Sequence, residues 1–107
     1  MSQSKAMSLI SLAMKAGKAS SGEFCTERDV KTGKAFLVIV AGDASDNTKK
    51  KFKNMCDFYQ VPIYFYQDKD TLGRAIGKEF RASLAILDQG FAGNIRKHME
   101  TEGITIA

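Results

Sequence analysis

The sequence predicts an α/β fold, a three-layer α/β/α sandwich with a small mixed central sheet. Three observations carry that prediction. Short apolar runs rich in β-branched and aromatic residues recur at 35–41, 63–66 and 83–87, and they are too brief for most helices. Between them lie stretches whose apolar residues recur at helical spacing. The run Ala35–Ala41 (AFLVIVA) is apolar throughout, which marks a strand covered on both faces and therefore a central one. The 107 residues, 44% of them hydrophobic, suffice for the core of a single domain spanning 1–107.

Taken in order, Leu9, Leu12, Ala13 and Ala16 form a helical stripe that Ile10 broadens, and Gly17 ends that helix. Gly22 opens a second, short helix that closes at Gly33 with a left-handed cap. After the strand Ala35–Ala41, one of Asp43, Ser45 or Asp46 caps a helix whose inward stripe is Phe52, Met55, Cys56 and Tyr59. Pro62 stops that helix, and Ile63–Tyr66 is the second strand. Asp68 or Asp70 starts a helix carrying Leu72, Ala75 and Ile76, which ends at Gly77. A charged loop, Lys78-Glu79-Phe80-Arg81, leads into the strand Ser83–Leu87. Asp88 caps a last helix that buries Phe91, Ile95 and Met99, and the tail Gly103–Ala107 is frayed or an edge strand. No repeat, linker or low-complexity tract interrupts this order.

Sixteen Lys and Arg against twelve Asp and Glu give a net charge of +4 and a pI near 9.1. The excess is local. Residues 1–53 hold ten basic and five acidic side chains, while 54–107 hold six and seven. An anion-binding face in the N-terminal half therefore fits better than a uniformly basic surface. Cys25 and Cys56 lie far apart with no CxxC and no clustered His, and no signal peptide is evident, so a reduced, cytoplasmic protein is expected. No apolar run approaches the ~20 residues of a membrane-spanning helix.

The residues argue against catalysis and bound cofactors. His98 is the one histidine, and with two scattered cysteines it forms no metal site. Neither cysteine has a histidine beside it to act as a base. Gly73-x-x-x-Gly77 lacks the third glycine of a dinucleotide fingerprint and follows no strand. Asp43 and Asp88 follow strands, as catalytic carboxylates do, but each also precedes a helix and reads as an N-cap.

Two segments remain as candidate sites. Ser20-Ser21-Gly22 leads into a helix whose free N–H groups and positive dipole end suit an anion. Lys15, Lys18, Arg28, Lys31 and Lys34 surround it. The loop Lys78–Arg81 carries two cations and an aromatic ring on a turn, which suits nucleic acid, although taken alone an ordinary polar loop with the ring folded back is the simpler reading. The cluster Lys49, Lys50, Lys51 and Lys53 reads as a solvated helix face or as a contact to RNA backbone.

Several markers, in order and at matching spacing, carry a family resemblance over roughly Ser8 to Lys97. They are Ser21-Gly22-Glu23, the strand Ala35–Ala41 running into Asp43-Ala44-Ser45, and Ser45-Asp46-Asn47-Thr48-Lys49-Lys50. Val61-Pro62, the run from Leu72 to Glu79 (LGRAIGKE) and the run from Asp88 to Ala92 (DQGFA) complete the set. The chain resembles the kink-turn-binding ribosomal protein family named for archaeal L-seven-Ae, and most closely its bacterial YlxQ branch.

That resemblance implies a non-catalytic, ribosome-associated protein that binds structured, kink-turn-like RNA without DNA sequence readout. It places the RNA on the opening of the second helix and on the loop before the late strand. The implied contacts are Gly22, Glu23, Phe24, Cys25, Arg28 and Lys31 in the first segment, with Lys78, Glu79, Phe80 and Arg81 in the second. Gly22 takes the family's close-approach glycine, and Arg28 its basic phosphate contact. One departure stands out: kink-turn binders carry Asn-Glu where this chain has Phe24-Cys25, and those side chains cannot supply the same hydrogen bonds to base edges. The alternative is a protein–protein interaction module that kept the fold and lost kink-turn recognition.

Overall fold

The structure is a computed structural model, and it describes residues 4–107. Five helices and four strands follow one another as α1 (Lys5–Lys15), β1 (Ala19–Ser21), α2 (Glu23–Lys31), β2 (Leu37–Val40), α3 (Asp46–Tyr59), β3 (Ile63–Phe65), α4 (Lys69–Ala75), β4 (Ser83–Ile86) and α5 (Gln89–Thr101). The strands form one mixed sheet in the order β1-β4-β2-β3. β4 is antiparallel to both β1 and β2, and β2 is parallel to β3, with Val38 opposite both Ala85 and Ile63. α1 packs on α5 and α4, while α2 packs on α3 and over β4, giving the three layers the sequence predicts.

The two central strands, β2 and β4, are buried along their whole length, as their uninterrupted apolar runs require. Strand hydrogen bonding continues past the ends of β2, from Phe36 N–H to Ile86 O and from Ala41 N–H to Ala82 O, both at 2.8 Å. The helix starts are local decisions. Ser4, Ser45, Asp68 and Asp88 each accept a hydrogen bond from the backbone N–H three residues on, satisfying one of the donors a helix start leaves free. Asp43 does not cap α3. Its carboxylate accepts from Lys69 N–H at 2.9 Å and so helps cap α4. No described helix is long and apolar enough to cross a membrane.

The structure corrects several sequence expectations. Ala19–Ser21 is an additional edge strand, formed because β4 offers it an open row of backbone partners. In α1 the inward residues are Ala6, Met7, Ile10 and Ala13, while Leu12 is 55% exposed and Ala16 lies outside the core. Tyr59 is also outside the core, 40% exposed, packing edge-on to Phe58 with ring centroids 4.9 Å apart. It sits in the last turn of α3, beside the left-handed Gln60 where the chain lifts away towards β3. Phe52 and Cys56 do face inward, with Met55 half-buried. In α5, Ala92, Ile95 and Met99 are buried and Phe91 is half-buried. The tail forms no strand, although Ala107 N–H reaches Ile63 O at 2.9 Å.

Candidate nucleic-acid interface

The two candidate segments meet at one end of the sheet. β1 leads directly into Gly22, whose N–H donates to Ser83 O at 3.0 Å. There the chain turns into α2 with φ of 93° and ψ of 158°, a conformation that favours glycine. A side chain at Gly22 would meet nothing within 4 Å, so the demand for glycine is torsional and the surface over the turn is open. On the inner side, the Ser83 hydroxyl donates to Thr26 Oγ1 at 3.3 Å, fastening buried Thr26 of α2 to β4.

The second segment is held by a different glycine. Gly73 is buried in α4, and a Cβ built on it would lie 2.4 Å from Glu79 O and 2.7 Å from Glu79 C. The loop therefore rests on the helix backbone itself, and Lys78 N–H donates to Gly73 O at 2.8 Å. Arg81 N–H donates to Lys69 O at 3.1 Å. The Arg81 guanidinium then spans the two segments, donating from Nε to Ser21 Oγ at 3.1 Å and from Nη1 to Phe80 O at 2.8 Å. Residues 60 apart in the chain are joined in this way, and the start of α2 and the loop before β4 form one surface.

Phe24 and Phe80 stand out of that surface, 76% and 63% exposed, with neither ring in the core. Lys78 and Glu79 are exposed and make no ion pair among the described residues. Cys25 is half-buried. The other thiol, Cys56, is pushed up to about 12 by burial, which keeps it protonated and inert.

The charges of α2 are arranged in pairs. Arg28 Nε lies 3.2 Å from Oδ1 of Asp29, whose buried carboxylate also accepts the Ser20 hydroxyl at 2.6 Å. The hydrogen bond to Asp29 raises Arg28 above its ordinary value. Lys31 Nζ lies 2.7 Å from Glu27. Lys51, from α3, reaches across to Glu23 at 2.7 Å and Glu27 at 2.8 Å. Hydrogen bonds from Lys31 and then Lys51 hold the Glu27 carboxyl down at about 2.

The lysine cluster is thus not a uniformly solvated face. Lys51 ties α3 to α2, Lys53 pairs with Asp57 at 2.8 Å, and Lys49 lies 5.7 Å from the centre of the Phe65 ring. Lys50 alone of the four is exposed and without such a partner among the described residues. Sequence reasoning missed Gly73 and Asp29 as parts that shape the surface, and it placed Ser21 in the turn without its bond to Arg81. A glycine inside a helical pattern was the one available sign of a close approach.

Comparison with known proteins identifies the family. Residues 4–96 match the ribosomal protein L7Ae/L30e/S12e/Gadd45 family. RNA-binding protein YlxQ of Enterococcus faecium is 44% identical over 90% of this chain and 92% of its own length. Its namesake in Bacillus subtilis (strain 168) is 41% identical over 81% of this chain and 87% of its own. Large ribosomal subunit protein eL30 of Candida albicans is 34% identical over 78% and 80% of the two chains. Among solved structures, a Bacillus halodurans protein of unknown function superposes with a TM-score of 0.89 at 35% identity, covering 92% of this chain and 99% of that one. The 15.5kD RNA binding protein of Giardia lamblia gives a TM-score of 0.71 at 27% identity, over 83% and 76% of the two chains. The chain belongs to the ribosomal protein L7Ae/L30e/S12e/Gadd45 family.

Proposed function

We propose that this protein is a non-catalytic, ribosome-associated RNA-binding module that grips structured RNA through the start of α2 and the loop before β4. One observation carries the reading most: the Arg81 guanidinium bonds Ser21, so the exposed cations and rings of both segments serve a single surface. Gly22 leaves the backbone open to close approach, and the uncapped N–H groups of α2 suit a phosphate. Arg28, Lys31, Lys78 and Arg81 neutralise phosphates, while Phe24 and Phe80 present faces to bases. The names of the relatives, RNA-binding and ribosomal proteins alike, point the same way. Kink-turn-like RNA is the proposed target class, and the cytoplasm the proposed compartment.

The test is a fluorescence-anisotropy titration of purified protein against a kink-turn hairpin and a plain duplex of equal length, repeated across salt concentrations. Affinity for the hairpin should fall by ~0.7–0.9 log unit per log unit of salt for each phosphate contact. Salt-independent affinity, or none, would overturn the proposal. In that case a protein-interaction module becomes the better reading. It has one observation in its favour: Phe36 is exposed at the end of the sheet opposite Ser83, as the pairing of Leu37 with Ile86 and of Val40 with Ser83 places it.

A further inference from the structure

α2 differs from the other helices in how it begins. Ser4, Ser45, Asp68 and Asp88 cap the four others with a side-chain oxygen, whereas Gly22 sets no side chain over the first turn of α2. The carboxylate best placed to fill that gap belongs to Glu23, the first residue of the helix, where the dipole favours negative charge. Instead it is drawn sideways to α3, where Lys51 Nζ lies 2.7 Å from Glu23 and 2.8 Å from Glu27. The two carboxylates depend on that ammonium unequally. Glu27 also has Lys31 at 2.7 Å, while Lys51 is the one ion-pair partner of Glu23 among the described residues. Loss of the Lys51 charge would therefore release Glu23 and leave Glu27 held.

We propose that Lys51 is a positioning residue for the RNA interface: by holding the Glu23 carboxylate against α3, it keeps the uncapped first turn of α2 open to a phosphate. The inference rests on the reading of α2 as an RNA contact. A freed Glu23 is an anion attached to the helix whose N–H groups it would occupy, so it competes with phosphate at a high effective concentration. Lys51 acts through Glu23 and need not touch RNA, which separates its role from that of a phosphate-binding lysine.

A double-mutant cycle on Lys51 and Glu23, read by anisotropy with a kink-turn hairpin as the probe, tests this. Lys51→Gln should weaken binding about two- to fivefold, the size of a carboxylate's favourable interaction with a helix N-terminus. Lys51→Arg should keep wild-type affinity. In a Glu23→Gln background, Lys51→Gln should cost nothing further, because no carboxylate remains to be released. An equal loss in both backgrounds would show that Lys51 itself meets phosphate, and would overturn the proposal. Unchanged affinity in both backgrounds would overturn it too. So would a Lys51→Gln loss that follows a lowered melting temperature and persists in the double variant. A wild-type protein with no salt-dependent RNA binding refutes the parent reading before any variant is made, and this proposal falls with it.

Discussion

Gly73→Ala probes how the loop before β4 is seated, and its sign runs against ordinary helix chemistry. In an unconstrained helix interior, Gly to Ala stabilises by up to ~1 kcal/mol. At Gly73 the new Cβ would lie 2.4 Å from Glu79 O, 2.7 Å from Glu79 C and 3.0 Å from Phe80 N, all backbone atoms that no rotamer change can move. Ordinary contact distances would require the loop to retreat by about 1 Å. Overpacking of this kind costs about 1–3 kcal/mol. Retreat also weakens the bond from Lys78 N–H to Gly73 O, at 2.8 Å, which contributes about 0.5–1.5 kcal/mol. After subtracting the propensity gain, a net destabilisation of about 1–3 kcal/mol remains.

Gly93 supplies the control. It lies exposed within α5, and a Cβ there meets nothing within 4 Å, so Gly93→Ala should stabilise by about 0.5–1 kcal/mol. Urea unfolding reads both as opposite shifts in midpoint at unchanged slope. RNA affinity should fall for Gly73→Ala, which displaces Lys78, Phe80 and Arg81, and stay level for Gly93→Ala. A Gly73→Ala protein as stable as wild type, or more stable, would refute the claim that this glycine seats the loop.

Three further outcomes are expected. Lys78→Ala should weaken all RNA targets about equally and reduce the salt slope by about one, whereas Arg81→Ala should lose more, since it also releases Ser21; anisotropy across salt checks both. Phe52→Ala, at a fully buried position, should cost about 3–5 kcal/mol in urea unfolding, with exposed Lys50→Ala within ~0.5 kcal/mol; similar losses at the two sites would contradict the orientation of α3. Because Phe24 is 76% exposed, Phe24→Asn should change stability by no more than ~0.5 kcal/mol. Combined with Cys25→Glu it should gain discrimination for sheared G·A pairs of about 1–3 kcal/mol per restored base contact, measured against a hairpin with those pairs altered.

Much of the fold could be read before any coordinates because the decisions are local. The runs at 35–41, 63–66 and 83–87 all became strands, since apolar β-formers leave little else for a short buried segment to do. Ser45, Asp68 and Asp88 cap helices through bonds that span three residues, so the sequence narrows each cap to one of a few neighbouring residues. Gly33, read as a left-handed cap, and Gly77, at a helix end, both carry the positive φ that glycines just past a helix adopt. Both candidate segments were visible for the same reason, as clusters of cations and glycine within a few residues of one another.

What escaped that reading depends on residues far apart in the chain. Ala19-Ser20-Ser21 has no strand signature and pairs because β4 presents an unfilled edge. Leu12 and Tyr59 fit their helical stripes, yet close packing of α1 on α5 and the lift of α3 at Gln60 turn them outward. Lys51 reads as one of four similar lysines until α2 comes alongside with Glu23 and Glu27. Gly73 looks like a weak spot in a helix until the carbonyl of Glu79 occupies the space where its side chain would be. The bond from Arg81 to Ser21 joins residues 60 positions apart, and only the assembled sheet, which brings β1 beside β4, makes two separate charged segments into one surface.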